Sequence, residues 1–320
     1  MGKKGSLAIG VDLGGTNIKI GLVTKSGEIV NQVSVESKAN NGPKAVIKQI
    51  EHGIDRLLEC EKRDVIGVGI GAPGSVTVKK GIVENPPNFT DWGSVALGSI
   101  LKKKLKTEVF VENDANAAAI GELIFGAGKK LNSFIMITLG TGLGGGIIFD
   151  KKIFRGDTGA AGELGHVTID YNGNRCNCGS IGCVEAYTGN NYFMNWVKPE
   201  LEKHPQSLIY KFNENDLHKL TPYAIHQAAE QGDFFAIDYI KQLGRYVGYG
   251  LVSAINILDI SSVIIGGGVA GFGNLLFDEI LHTVNERILI PKKGKIKIIP
   301  AMFKNNAGII GASALVYYRL

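Results

Sequence analysis

Apolar runs and alternations along the chain predict strands at about 7–12, 18–23, 65–70, 109–111, 134–138, 146–149, 262–266 and 296–299. Apolar residues returning at helical spacing predict helices at about 43–60, 115–126, 222–231, 235–257, 274–288 and 306–318. Two of these helices carry start signals: Thr221 is an N-cap before Pro222 in the first turn, and Asp233 follows Gly232. Strands and helices interleaved in this way define an α/β protein. No low-complexity linker interrupts them.

The pattern also carries a weak internal echo. Val11-Asp12-Leu13-Gly14-Gly15-Thr16 runs into an alternating strand from Asn17 to Val23, and Thr138-Leu139-Gly140-Thr141-Gly142 runs into a strand from Gly146 to Phe149. Both read strand, glycine turn, strand. They suggest two related domains facing each other across a central cleft, each donating one phosphate-binding hairpin. A length of 320 residues accommodates two domains with cores of their own. Glycine accounts for 44 of those residues, about twice the usual share, so the excess belongs in turns and close backbone approaches.

The remaining composition mainly excludes. A net charge of +5 comes partly from Lys102–Lys104 with Lys106, and from Lys292, Lys293, Lys295 and Lys297. Neither run is interleaved with aromatics, which favours solvated surface over a nucleic-acid groove. No apolar stretch reaches membrane-spanning length. Met1-Gly2-Lys3-Lys4-Gly5-Ser6 formally fits a myristoylation pattern but reads as chance, because a strand is predicted to begin at Leu7. Few cysteines, grouped for metal and not for bridges, point to a reducing cytoplasm.

That group is the most specific chemistry in the chain. Cys176, Cys178 and Cys183 fall within eight residues, His166 lies upstream, and Glu163 and Glu185 bracket the set. One imidazole and three thiolates complete a tetrahedral zinc site, and a closed set leaves no position for activating water. The site is therefore expected to be structural, fixing the two bracketing carboxylates. Neutral His166 could bind zinc through one ring nitrogen and touch a ligand with the other.

Three segments match the dinucleotide pattern G-x-G-x-x-G: Gly69 to Gly74, Gly140 to Gly145 and Gly266 to Gly271. The first two run into strands, and the third lacks a later ribose-binding acid, so a nicotinamide enzyme is disfavoured. The Walker pattern is absent. A glycine turn between strands still holds phosphate through consecutive backbone N–H groups. Asp12 beside Gly14-Gly15-Thr16 adds a carboxylate for magnesium and a hydroxyl. Lys19 is either a phosphate contact or the exposed half of strand alternation.

On the acceptor side, Val109-Phe110-Val111 leads into Glu112-Asn113-Asp114 just before an alanine-rich helix. Asp114 thus lies at the carboxyl end of a strand, where α/β folds place ligands. A helix cap needs only one of these polar residues, so a carboxylate here could take a proton from an acceptor hydroxyl during phosphoryl transfer. Glu163, His166 and Glu185 would supply further acceptors for a polyhydroxylated ligand. Asn88, after the Pro86-Pro87 turn, is either an amide contact or an ordinary loop residue.

Together these residues resemble the ROK family of sugar kinases and sugar-responsive repressors, within the actin-like ATPase superfamily. The similarity spans almost the whole chain. Asp12-Leu13-Gly14-Gly15-Thr16-Asn17-Ile18-Lys19 resembles the first phosphate motif, Leu139-Gly140-Thr141-Gly142-Leu143-Gly144-Gly145-Gly146 the second, and Gly266-Gly267-Gly268 the adenosine motif. Cys176-x-Cys178-Gly179-x-x-Gly182-Cys183-x-Glu185 after Glu163-x-x-His166 resembles the family's zinc signature.

The resemblance implies two actin-like (ribonuclease H-like) domains: a small one, residues 1–116 with 304–320, and a large one, residues 117–303. It implies Asp114 as catalytic base, and Asn113, Glu163, His166 and Glu185 on a hexose, with Gly74 and Asn88 as further contacts. Structural Zn²⁺ would sit on His166, Cys176, Cys178 and Cys183. Asp12, Gly14, Gly15, Thr16, Asn17, Lys19, Thr141, Gly142 and Gly266–Gly268 would hold Mg²⁺ and ATP.

The expected activity is ATP-dependent phosphorylation of a free hexose, with the glucokinase branch most similar. N-acetylhexosamine and fructose kinases share most of these residues. A repressor of the same family would carry a DNA-binding helix-turn-helix before the first phosphate motif, and about eleven residues precede Asp12. A homo-oligomer, dimer or tetramer, is expected. The glycine-spaced stretch Gly244, Gly248, Gly250 and Ala254 predicts close packing, either within the chain or against another subunit.

Overall fold

The computed structural model describes residues 6–59, 61 and 63–319. The amino-terminal Met1–Gly5 stretch, Cys60 and the predicted end of the first helix at residue 60 lie outside that range. Within it, the chain forms two compact units. One comprises the described residues up to Ser133 with Gly146–Gly162 and those from Ala301 onward; the other comprises Phe134–Gly145 and Glu163–Pro300.

The first unit is organised on a five-stranded sheet. Its strands are β1 (Leu7–Leu13), β2 (Asn17–Val23), β3 (Ile29–Glu36), β4 (Val65–Ala72) and, after the short β5 (Ser75–Thr77), β6 (Ile82–Glu84) and β7 (Ser94–Val95), β8 (Val109–Asn113). The order is β3-β2-β1-β4-β8, with β1–β2 and β2–β3 antiparallel and β1–β4 and β4–β8 parallel. The second sheet uses β9 (Phe134–Leu139), β10 (Leu143–Phe149), β11 (Lys152–Phe154), β12 (Ser262–Gly266) and β13 (Lys297–Pro300) in the order β11-β10-β9-β12-β13. Read along the chain, both sheets have the order 3-2-1-4-5, the ribonuclease H-like arrangement. The glycine-turn echo is thus the visible part of a duplicated topology.

The helices show why glycine is so abundant. Helices α1 (Pro43–Leu58) and α2 (Leu97–Leu105) cover one face of the first sheet with a core that includes Ile9, Val11, Ile20, Ile50, Ile54, Val68, Ile70 and Leu101. On the same unit, α3 (Asp114–Ile124) packs against α10 (Ala307–Arg319), which also lies on β1 and β4. A Cβ at Gly10 would fall 2.8 Å from the backbone nitrogen of Ser313, and one at Gly69 would fall 2.8 Å from the backbone carbon of Ala312. Only glycine in the strands lets α10 rest this close to the sheet. The same holds between helices, where a Cβ on Gly311 would come within 2.6 Å of the Ala117 carbonyl.

In the second unit the helices are α4 (Glu185–Thr188), α5 (Asn190–Leu201), α6 (Ile209–Phe212), α7 (Pro222–Glu230), α8 (Phe234–Leu258) and α9 (Asn274–Arg287). The two predicted caps are present: Thr221 Oγ1 accepts from Ala224 N at 3.2 Å, and Asp233 Oδ1 accepts from Ala236 N at 2.8 Å. The glycine-spaced face of α8 packs within the chain. Cβ atoms at Gly244 and Gly248 would meet Glu279 and Thr283 of α9 at 3.0 and 2.7 Å, and one at Gly250 would meet Val184 at 2.5 Å.

The predicted helices and strands agree with the observed ones to within a few residues. The pattern missed β3, the short β5–β7 sheet, β11, α2 and the helices α4, α5 and α6. β3 is half-exposed and polar through Asn31, Gln32 and Ser34, so its alternation is faint. No described helix is long and apolar enough to cross a membrane.

Candidate functional site

The first glycine hairpin joins β1 to β2. Gly14 N donates to Asn17 O at 3.2 Å, Ser37 N donates to Thr16 O at 2.9 Å, and Ser37 Oγ donates to Gly15 O. The turn's carbonyls are thereby tied back, while the N–H groups of Gly15 and Thr16 bind no acceptor among the described residues. Such a turn is suited to an anion. Asp12 and Lys19 are direct partners in the β1–β2 register, so both side chains lie on one face. Burial raises the Asp12 carboxyl above its ordinary value, and the Lys19 charge opposes that shift. Lys19 is exposed and stands opposite Asp12 across the β1–β2 pair. At Gly308, near the start of α10, a Cβ would overlap the Asp12 carboxyl, so glycine there keeps room for it.

The second hairpin joins β9 to β10 with the same device. Gly140 N donates to Gly142 O at 3.0 Å, and Asn190 N donates to the carbonyls of Gly140 and Thr141 at 3.0 and 3.1 Å. The N–H groups of Thr141 and Gly142 bind no acceptor among the described residues. Gly266, Gly267 and Gly268 follow β12 alongside, with Gly266 paired to Thr138. Gly267 has φ 88°, and a Cβ there would sit 2.7 Å from Leu139 N. The proposed adenosine motif thus lies against the strand that delivers the second hairpin.

The three consecutive polar residues where β8 meets α3 divide into three tasks. Asn113 caps α3: its Oδ1 accepts from Ala115 N and Asn116 N at 3.0 and 3.2 Å. Its amide donates one N–H to Gly74 O at 3.2 Å and keeps a second for a ligand. Glu112 is buried, and its Oε2 takes Arg155 Nε and Nη2 at 3.0 and 2.5 Å. Its Oε1 accepts from Asn113 N at 3.2 Å and from Asn116 Nδ2 at 3.3 Å. Asp114 opens α3 with an exposed side chain whose Oδ1 accepts from Ala115 N at 2.8 Å. Glu112 and Arg155 are functional neighbours that sequence reasoning missed. The signal was there, since a buried carboxylate beside a helix cap needs a partner, but Arg155 is far away in sequence.

Gly74, Asn88 and Asn113 gather in the same unit. Gly74 has φ 81°, and a Cβ on it would lie 2.9 Å from Pro86 Cα. Asn88 has φ 67° and is exposed, and its Cβ would stand 3.2 Å from one placed on Gly15. The loop carrying it is anchored by Phe89 and Trp92, packed edge to face at 5.2 Å, with Trp92 Nε1 donating to Val83 O at 3.1 Å.

The metal-type cluster belongs to the second unit. The ligand atoms of His166, Cys176, Cys178 and Cys183 lie within 4.8 Å of one another. Cys176 Sγ is 3.7 Å from His166 Nδ1, and Cys178 Sγ is 3.7 Å from Cys183 Sγ. Tetrahedral thiolates about 2.3 Å from a zinc ion stand roughly 3.8 Å apart, so the spacing fits the ion. It is far too long for a disulfide. Burial raises the Cys183 thiol to about 12 and raises Cys176 as well, whereas the Ser180 backbone N–H lowers Cys178. Raised values favour neutral thiols here; only as thiolates would the three need a cation among them. The knuckle is shaped by Gly179 at φ 93° and Gly182 at φ 71°, with Cys176 N bonded to Ser180 O at 2.9 Å.

Two carboxylates lie beside the cluster. His166 presents Nδ1 to Cys176 and Nε2 outward, 3.9 Å from exposed Glu163. Glu185 Oε1 lies 3.9 Å from Cys176 Sγ, while Oε2 accepts from Leu143 N at 2.9 Å. Glu185 therefore links the cysteine loop to the second glycine hairpin, a connection invisible in the sequence.

Two ribonuclease H-like sheets, each with an anion-ready hairpin at its first turn, together with a four-ligand cysteine–histidine knuckle, define an actin-like ATPase-type protein. The family model described as ROK family matches residues 8–319. The chain belongs to the ROK family.

Among its relatives, a glucokinase of Thermotoga maritima is 36% identical over 98% of this chain and 98% of its own. A xylose repressor of Caldicellulosiruptor bescii is 32% identical over 96% of this chain and 77% of its own. The solved ROK glucokinase of Streptomyces griseus, in complex with glucose and AMPPNP, superposes with a TM-score of 0.85 at 35% identity, over 97% of this chain and 99% of that one.

Proposed function

We propose that this ROK-family chain is an ATP-dependent hexose kinase that phosphorylates glucose at O6, with Asp114 as general base. The observation that carries the reading is the division of labour where β8 meets α3: Asn113 caps the helix, and the exposed Asp114 carboxylate stands at the strand's carboxyl end. The 36% identity to a glucokinase across the chain supports glucose as acceptor.

In the reaction, O6 attacks the γ-phosphorus of ATP, the bond from that phosphorus to the bridging oxygen breaks, and ADP departs. The O6 proton passes to Asp114. On the first unit the Asn113 amide would contact sugar hydroxyls, and on the second the carboxylates of Glu163 and Glu185 and the Nε2 of His166 would do so. The N–H groups of Gly15, Thr16, Thr141 and Gly142 receive phosphate oxygens, and Gly266–Gly268 take the adenosine.

Asp12, partnered by Lys19, would hold Mg²⁺ directly or through water; the ion, when bound, neutralises triphosphate charge. Zinc on His166, Cys176, Cys178 and Cys183 would be structural, because its four ligands leave no open position.

General-base assistance is worth about 10²–10⁴-fold. Asp114→Asn is therefore expected to lower kcat by about that factor while glucose binding, followed by calorimetry, persists. Near-normal turnover in the variant would remove Asp114 from this role.

A further inference from the structure

On the first unit, a cavity of about 350 Å³ opens beside β8. Its walls come from four places. The turn after β5 supplies Lys79 and Lys80, α2 supplies Ser99 and Lys102, Glu108 and the edge strand β8 that follows it supply the residues to Glu112, and the end of α10 supplies Leu315 and Arg319. The turn and α2 meet closely: Gly98 N donates to Gly81 O at 2.9 Å, and a Cβ on Gly98 would lie 3.2 Å from Gly81 Cα. That approach, which needs two glycines, brings the turn lysines alongside α2.

The charge balance around this cavity is one-sided. Its two carboxylates are already neutralised, Glu108 by Lys102 at 2.7 Å and Glu112 by Arg155 at 2.5 Å. Lys79, Lys80 and Arg319 have no carboxylate partner among the described residues. Three uncompensated cations thus rim a floor that is partly apolar, through Val109, Val111 and Leu315. A cavity of this size falls within the range used for small ligands. A simple inorganic ion would satisfy the rim and leave the apolar floor empty; a phosphate carrying a short organic body satisfies both.

The cavity is also wired to the catalytic loop. Glu112 lines it and, through its two oxygens, holds Arg155, Asn113 N and Asn116. β8 then runs directly into Asp114. We propose that this cavity is a binding site for a small phosphorylated organic anion, whose occupancy is felt at Asp114 through β8 and Glu112. The coupling part rests on the assignment of Asp114 as base; the binding part does not.

The test uses the full chain and glycerol 3-phosphate as probe, followed by calorimetry at constant ionic strength, because surface charge effects are screened by salt. Sulfate, inorganic phosphate and glycerol serve as comparison ligands. Wild type is expected to bind glycerol 3-phosphate saturably and glycerol not at all. Lys79→Ala/Lys80→Ala and Arg319→Ala, which change exposed side chains and leave basal activity intact, should each weaken binding at least tenfold.

Equal affinity in wild type and variants overturns the site. Sulfate or phosphate binding as tightly as glycerol 3-phosphate overturns the organic ligand and leaves an unspecific ion site. Saturating probe is expected to change wild-type kcat at least twofold and to leave the lysine double variant unchanged. Binding without any change in turnover overturns the coupling. If Asp114→Asn retains activity yet binding depends on the lysines, the kinase assignment of that residue fails and the anion site stands.

Discussion

Two carboxylates two residues apart show how burial assigns roles. Glu112 is 2% exposed and holds an arginine, whereas Asp114 faces solvent. Removing one partner of a buried pair leaves the other charge stranded. Arg155→Met is accordingly expected to destabilise the protein by about 3 kcal/mol in urea unfolding, with Glu112→Gln/Arg155→Met recovering part of the loss; an Arg155→Met midpoint equal to wild type would contradict this.

A third carboxylate, Glu122, is 1% exposed. Its oxygens accept from Ala127 N at 2.7 Å and from Met302 N at 2.8 Å, so it ties the end of α3 to the segment before α10. Burial outweighs these bonds and raises its carboxyl above the usual 4.5. The folded chain therefore binds this proton more tightly than the unfolded chain does. Its contribution to stability is lost as pH rises from 4.5 through the raised folded value. Urea midpoints measured across that window should fall for wild type and lose that slope in Glu122→Gln.

At the scale of elements, the cysteine knuckle and the packing of α10 make separate predictions. The knuckle has little apolar core of its own beyond Cys176, Cys183 and Ala186, flanked by Tyr187 and Tyr192. A bound ion would supply much of its order. One zinc per chain is expected by elemental analysis, and chelation should raise the apparent glucose KM before the chain unfolds. Metal-free protein with an unchanged KM would refute the link from the ion to Glu163 and Glu185. For α10, Gly311→Val places carbon against the Ala117 carbonyl. Overpacking of this kind typically costs about 1–3 kcal/mol, and a backbone neighbour cannot move aside, so the variant should sit at the upper end in thermal unfolding.

For the whole molecule, the sugar panel is the informative measurement. ADP release is expected to be fastest with glucose over fructose, mannose, N-acetylglucosamine and N-acetylmannosamine; a faster rate with an acetylated sugar would reassign the acceptor. Much of this was legible in the chain. Strand and helix periods, two glycine turns, a polar triplet at a strand end and four metal-type ligands are local patterns, and local patterns survive in one dimension. The sequence by itself determined the α/β class, the repeated hairpins and the residues of the knuckle. Tertiary structure alone decided that Glu112 belongs to Arg155, that Glu185 reaches Leu143, that Glu122 ties α3 to the segment before α10, and that the glycines of α8 pack on α9 and Val184. Each of those depends on which distant residues the fold brings within bonding distance once water is excluded, and no spacing along the chain encodes that.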